Sequence, residues 1–189
     1  IDNGKLTQIG QVGGLGRGEQ IRSVRFIGST GYVVTFRQTD PLYVVDLSNP
    51  SAPTVVGELK IPGYSAYLHP VGEGRLVGIG QDATEQGQTT GLQVALFDVS
   101  NPADPQQIQK YTITDAYSDA ETEHHAFLWW APENLLVIPA EAYGFVTDPM
   151  TGVTANPFTG ALGLNVTDGG ISERGRIQHP DSNSGYDEY

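Results

Sequence analysis

The chain of 189 residues contains no cysteine, which excludes disulfides, thiolate zinc sites and cysteine nucleophiles. Cations are scarce: ten Lys and Arg against 22 Asp and Glu give a net charge of −12. That balance disfavours nucleic acid and anionic membrane surfaces as partners and is compatible with cation binding or simple solubility. Long hydrophobic runs are missing too. The most apolar stretch, AFLWWAPENLLVIPA (126–140), is broken by Pro132, Glu133 and Asn134, and nothing reaches the length of a membrane-spanning helix. No charged-then-apolar targeting segment opens the chain, which starts at Ile1; the expectation is a processed form or a piece of a longer protein. Several catalytic signatures are also absent, among them G-x-S-x-G, H-E-x-x-H and the Walker loop. GGLGRGE (13–19) comes close to a dinucleotide fingerprint, but Glu19 ends it and no helix follows, so it reads as a glycine-rich turn. NVT (165–167) spells a glycosylation acceptor inside an expected strand. Carboxylates are plentiful, yet no spacing singles out a glycosidase-like pair.

What is present is repetition. VVDLSNPSAPTVVGELKI (44–61) returns as LFDVSNPADPQQIQKYTI (96–113), a period of 52 residues from Asp46 to Asp98. Each copy is preceded by matching runs: IRSVRFIG (21–28) and TGYVVTFRQ (30–38) before the first, SAYLHPVG (65–72) and EGRLVGIGQ (73–81) before the second. A unit is therefore four β-rich runs, a to d, separated by Gly, Asn, Asp or Pro. A more divergent third unit reads EHHAFLWW (123–130), NLLVIPA (134–140), ALGLNVT (161–167) and SERGRIQH (172–179). LTQIGQV (6–12) resembles run d, as though an earlier unit ended there. Runs b and c are apolar almost throughout, the pattern of strands packed on both faces, whereas run d alternates like an outer strand with one wet face. In the c–d link SNPxxP, Ser and Asn bond their own backbone and Pro ends strand pairing.

Four antiparallel strands repeated at this period predict an all-β fold of β-propeller blades; a β-sandwich is the alternative, but it gives no reason to repeat one turn at one position. The expected layout is an outer strand of a preceding blade (1–14), blade 1 (20–62), blade 2 (64–114), blade 3 (122–179) and a linker towards a further blade (180–189). Because a closed ring takes about 4–8 blades, the chain is expected to be part of a longer propeller, to close with a second copy or to remain an open arc.

The strings at 21–70, LFDVSNPADP (96–105) and HHAFLWWAPENLLVIP (124–139) resemble a family of bacterial and archaeal secreted proteins with a C-terminal β-propeller domain distantly related to WD repeats. The resemblance covers most of 15–140 and fades in 141–189, where EAYGFVTDPMTGVTANPFTG is individual to this chain. It implies an extracytoplasmic, cell-surface or periplasmic location and a longer natural chain, and it carries over no catalytic residue.

Strand direction puts the d–a and b–c loops on one face and the a–b and c–d loops on the other. Stretches 81–91, 114–122 and 141–160 make the first the long-loop face, where binding residues are expected. On it, DAYSDAETEHH (115–125) offers Asp115, Asp119, Glu121, Glu123 and His124 as ligands for calcium or another divalent cation; the alternative is a solvated acidic loop. If 123–130 is a strand, His124 and His125 point to opposite faces. Arg37, Asp40, Asp82, His125, Glu141 and Tyr143 are expected on the ligand-binding face, although Arg37 and Asp40 read better as a pair fixing neighbouring blades. DSNSGYDEY (181–189) partly spells a calcium loop, with glycine one position early, and reads better as a linker. His69, Trp129 and Trp130 read as packing residues. The functional expectation is a non-enzymatic module binding a protein or a surface polysaccharide, without nucleic acid or membrane insertion. A cation-dependent hydrolase or lyase and a structural blade array are the rivals.

Overall fold

The structure, a computed structural model, describes residues 4–36, 40–143, 146–147, 154–155 and 157–178. Three antiparallel meanders account for nearly all of it. Blade 1 is β1 (Gln20–Ile27), β2 (Thr30–Phe36), β3 (Asp40–Asp46) and β4 (Thr54–Ile61); blade 2 is β5 (Tyr64–Gly72), β6 (Arg75–Ala83), β7 (Thr89–Asp98) and β8 (Gln106–Thr114). In blade 3, β9 (Ala116–Tyr117) and β10 (Leu128–Trp130) both pair with β11 (Leu135–Ala142), and β14 (Phe158–Thr167) and β15 (Gly170–Gln178) follow. A small hairpin, β12 (Val146–Thr147) with β13 (Thr154–Ala155), lies between β11 and β14.

The central strands are apolar on both sides because both sides are covered. From β7, Leu92, Val94 and Leu96 join Val77 and Ile79 of β6 in a core shared with Leu136, Ile138, Leu162 and Leu164 of blade 3. Ala95 and Phe97, of opposite parity, join Leu68 and Leu76 in a second core with Tyr32, Val34, Leu42 and Val44 of blade 1. Gly78 makes room for Ser65, whose hydroxyl lies where a Cβ would go, with the Phe97 ring beside it. Most of these side chains are under 3 % exposed, each worth about 1.5–3 kcal/mol of transfer free energy.

The repeated phrase is a repeated turn. The backbone N–H and hydroxyl of Ser48 donate to Asp46, and those of Ser100 donate to Asp98. Asn49 accepts from the Ser51 N–H, and Asn101 from the Ala103 N–H, both at 3.2 Å. The turn also sets blade spacing. In blade 2 it brings Pro102 and Pro105 onto Gly57 of β4, so closely that a Cβ there would overlap the Pro102 carbonyl. Pro50 and Pro53 lie on Gly10 in the same way. The run at 6–12 thus occupies the place of an outer strand beside blade 1, but residues 6–14 form no strand.

Blade 3 departs from the pattern. Its c–d link is a two-residue turn, with Thr167 pairing Gly170. Opposite it, blade 2 carries Gln109 at the position of Gly57. The Gln109 amide donates to the Ile171 carbonyl (3.1 Å) and accepts from the Ile171 N–H (2.9 Å). Beside this contact, Tyr111 of β8 donates to Glu173 of β15, which also pairs with Arg176 at 2.8 Å.

Three local expectations change. EHHAFLWW is not one strand: only Leu128–Trp130 is, and His124–Ala126 is a turn of 3-10 helix. Trp129 packs against the core as expected, whereas Trp130 is 52 % exposed. The stretch 81–91 is mostly strand, and only 84–88 is loop, closed by a Gly87 N–H to Thr84 carbonyl bond.

Candidate functional site

The inner edge of blade 3 is interrupted. β10 covers one end of β11, pairing Leu128 with Val137 and Trp130 with Leu135, while β9 covers the other, pairing Tyr117 with Glu141 and Ala116 with Ala142. Ile138, Pro139 and Ala140 between them pair with β14 on one side and have no strand on the inner edge. Pro139, which has no N–H to offer, stands where a strand partner is missing. Its carbonyl accepts from the Ser118 hydroxyl at 2.6 Å.

The chain between β9 and β10 leaves the sheet as two short turns, each with its own cap. Ser118 and Glu121 form a reciprocal capping box around Asp119–Glu121: the Ser118 hydroxyl accepts from the Ala120 N–H, and Glu121 accepts from the Ser118 N–H. Glu121 also accepts from Gln81 of blade 2 at 2.6 Å, and burial raises its pKa against those donors. Glu123 caps the second turn by accepting from the His125 N–H (2.9 Å), and that bond, with the His125 ring, holds its carboxyl below the usual range. The turn sets His124 and His125 side by side, ring centroids 4.0 Å apart, instead of on opposite faces.

The detour leaves a cleft of about 470 Å³ lined by Tyr117, Asp119, His125, Phe127, Pro139, Glu141 and Thr159 among others. Tyr117 also walls a second, more open hollow with Gln81, Thr90, Asp115 and Tyr143. At the boundary Tyr117 and Tyr143 stack with centroids 5.7 Å apart, and both phenols donate to Glu141 at 2.7 Å. Those bonds lower the Glu141 pKa and, with the contact to Tyr143, raise that of Tyr117.

The expected residues divide accordingly. Glu141, Tyr143, Asp119 and His125 gather around the cleft and its neighbour. Glu123, His124 and His125 bring their donor atoms within 4.8 Å of one another. Asp115, which has a positive φ of 50°, serves the backbone: its carbonyl accepts from Tyr143 and its N–H donates to Thr90. Glu121 is occupied by its cap and Gln81, so neither joins the donor cluster. Asp82 forms an ion pair with Lys110 at 2.5 Å, away from the cleft lining. Asp40 opens β3 opposite Ile61, and Arg37 and 181–189 lie outside the described residues. His69 packs as expected, 4.6 Å from the Phe127 ring and bonded to the Tyr67 hydroxyl. Tyr117, Ser118, Pro139 and Gln81 were not singled out in the sequence, although S-D-A-E (118–121) spells a capping box.

Blades of four antiparallel strands sharing lateral cores, with an open cleft on the face of the d–a and b–c loops, define a β-propeller scaffold. The chain belongs to the beta propeller domain family, whose model matches residues 1–189. It is similar to an uncharacterised protein of Methanocaldococcus jannaschii, 43 % identical over 141 residues, which are 75 % of this chain and 22 % of the relative. It is also similar to an uncharacterised protein of Archaeoglobus fulgidus, 42 % identical over 142 residues, with the same shares. The chain thus spans little more than a fifth of the length of the curated relatives it matches.

Proposed function

We propose that this chain is the recognition part of an extracytoplasmic β-propeller protein, binding a surface partner through the cleft of blade 3. The observation that carries the reading is the interrupted inner edge, where a rigid sheet leaves an open cleft bordered by carboxylates and two stacked tyrosines. Concave sites with a few convergent polar groups on a rigid scaffold are where ligands bind. The carboxylates of Asp119 and Glu141 in the cleft favour a neutral hydroxyl-rich or a cationic partner, a polysaccharide segment or a basic protein loop, over an anionic one. The extracytoplasmic location rests on the resemblance of the repeat strings to secreted proteins.

The test is a binding screen of neutral glycans and basic cell-surface proteins against the wild-type chain and a Tyr143→Ala, Glu141→Ala variant. Captured partners are expected to be lost by the variant; partners that bind both equally would remove the cleft from the reading. A cation-dependent hydrolase draws on the same rim, since His125 lines the cleft beside Glu123. Turnover of a captured glycan or ester, abolished by chelation, would put that activity in place of simple binding.

A further inference from the structure

We propose that Glu123, His124 and His125 form a binding site for a zinc-like divalent transition metal at the rim of the blade 3 cleft. The inference stands apart from the partner-binding reading, because it concerns the ion alone. It begins with the cap. By accepting the His125 N–H at 2.9 Å, Glu123 fixes its own carboxylate beside the turn it starts. In a strand the two following imidazoles would diverge; in this turn they lie tilted against each other, 4.0 Å between centroids and 37° between planes. The Nδ1 atom of His125 is 2.7 Å from the Glu123 carboxylate and that of His124 is 3.8 Å from the same oxygen. Donors on one tetrahedral zinc are separated by about 3.3 Å, from bond lengths of 2.0–2.2 Å, so an ion would displace the proton of the His125–Glu123 hydrogen bond and move those two groups apart by roughly half an ångström.

Packing does not account for the arrangement. The two imidazoles are 68 % and 80 % exposed and contribute nothing to either core, and an exposed carboxylate–imidazole contact is worth little by itself. The donor set selects the ion. Two imidazole nitrogens and one carboxylate suit zinc and its neighbours, whereas calcium takes six to eight oxygens. Three protein donors leave a fourth position for water or a ligand atom, and His125 lines the cleft, so the ion would sit at its edge.

The experiment is equilibrium dialysis or calorimetry of the 189-residue chain with zinc chloride at neutral pH, followed by NMR of the imidazole signals. The expected result is one equivalent bound, with the His124 and His125 resonances shifted and that of His69 unmoved. His124→Ala and His125→Ala should each weaken zinc binding by at least the roughly tenfold that loss of an outer-shell partner costs. Both are exposed, so unchanged circular dichroism is expected to accompany the loss. Absence of zinc binding, or binding that survives the double His124→Ala, His125→Ala variant, overturns the proposal.

Discussion

The side-chain amide of Gln109 meets the backbone of Ile171 edge to edge, donating to its carbonyl and accepting from its N–H. An amide side chain in blade 2 thereby does for blade 3 what backbone does inside a sheet. Where the following blade carries the long proline turn, the same position is Gly57, and the turn itself fills the space.

Two substitutions test this pairing. Gly57→Ala places a methyl on the Pro102 carbonyl and should lower stability by about 1–3 kcal/mol, as overpacking does. Gln109→Ala gives up two hydrogen bonds of about 1 kcal/mol each. Urea unfolding of the two variants reads both; a neutral Gly57→Ala would show that the contact with the turn is loose.

The arc has an uncovered apolar flank. On β1, Ser23 and Arg25 bond to the Ser65 and Leu68 carbonyls of blade 2, while Ile21, Val24 and Phe26 face away and are 64 %, 43 % and 65 % exposed. Contiguous apolar surface of this kind seeks a cover. The isolated chain should therefore self-associate in light scattering, and Phe26→Asp should shift it towards monomer. A monomeric wild-type chain at high concentration would refute this.

The Tyr111–Glu173–Arg176 contact sets a pH response. Burial, and then the bond to Glu173, push the Tyr111 phenol up to about 12 from an ordinary 10.0. Between those values the folded chain keeps a proton that the unfolded chain has lost, so stability falls as pH rises through the interval. Near-ultraviolet titrations of the wild-type and Tyr111→Phe chains should differ by one tyrosine step near the upper value. A missing step near the ordinary value instead would contradict the burial argument.

The blades were legible because their signals are local. Asp46 with Ser48 and Asn49 with Ser51 close a turn within a few residues, and the two-sided burial of β6 and β7 shows as unbroken apolar runs. The split inner strand was not legible. Its cause lies in pairings across the chain, with Tyr117 meeting Glu141 24 residues on and Ser118 meeting Pro139. A run such as EHHAFLWW carries the β-rich composition of a strand whether or not a neighbour is available to pair with it. The stretch 81–91 misled in the opposite sense: its polar residues read as loop, but Asp82 and Gly91 pair across β6 and β7. Glu141 and His125, which line the cleft, were named in the sequence for the face they share and not for any motif.

The contact between successive blades also makes their order a matter of fit. Blade 2 presents to its upstream neighbour a turn that needs glycine, and to its downstream neighbour a glutamine that needs a short turn. Setting blade 3 directly after blade 1 would leave Gly57 opposite an empty space, and repeating blade 2 would drive Gln109 into a proline turn. Blades 1 and 2 share a phrase, yet the blades are not interchangeable parts: each is cut to a particular neighbour, and a rearranged chain would have to rewrite a residue at the new junction.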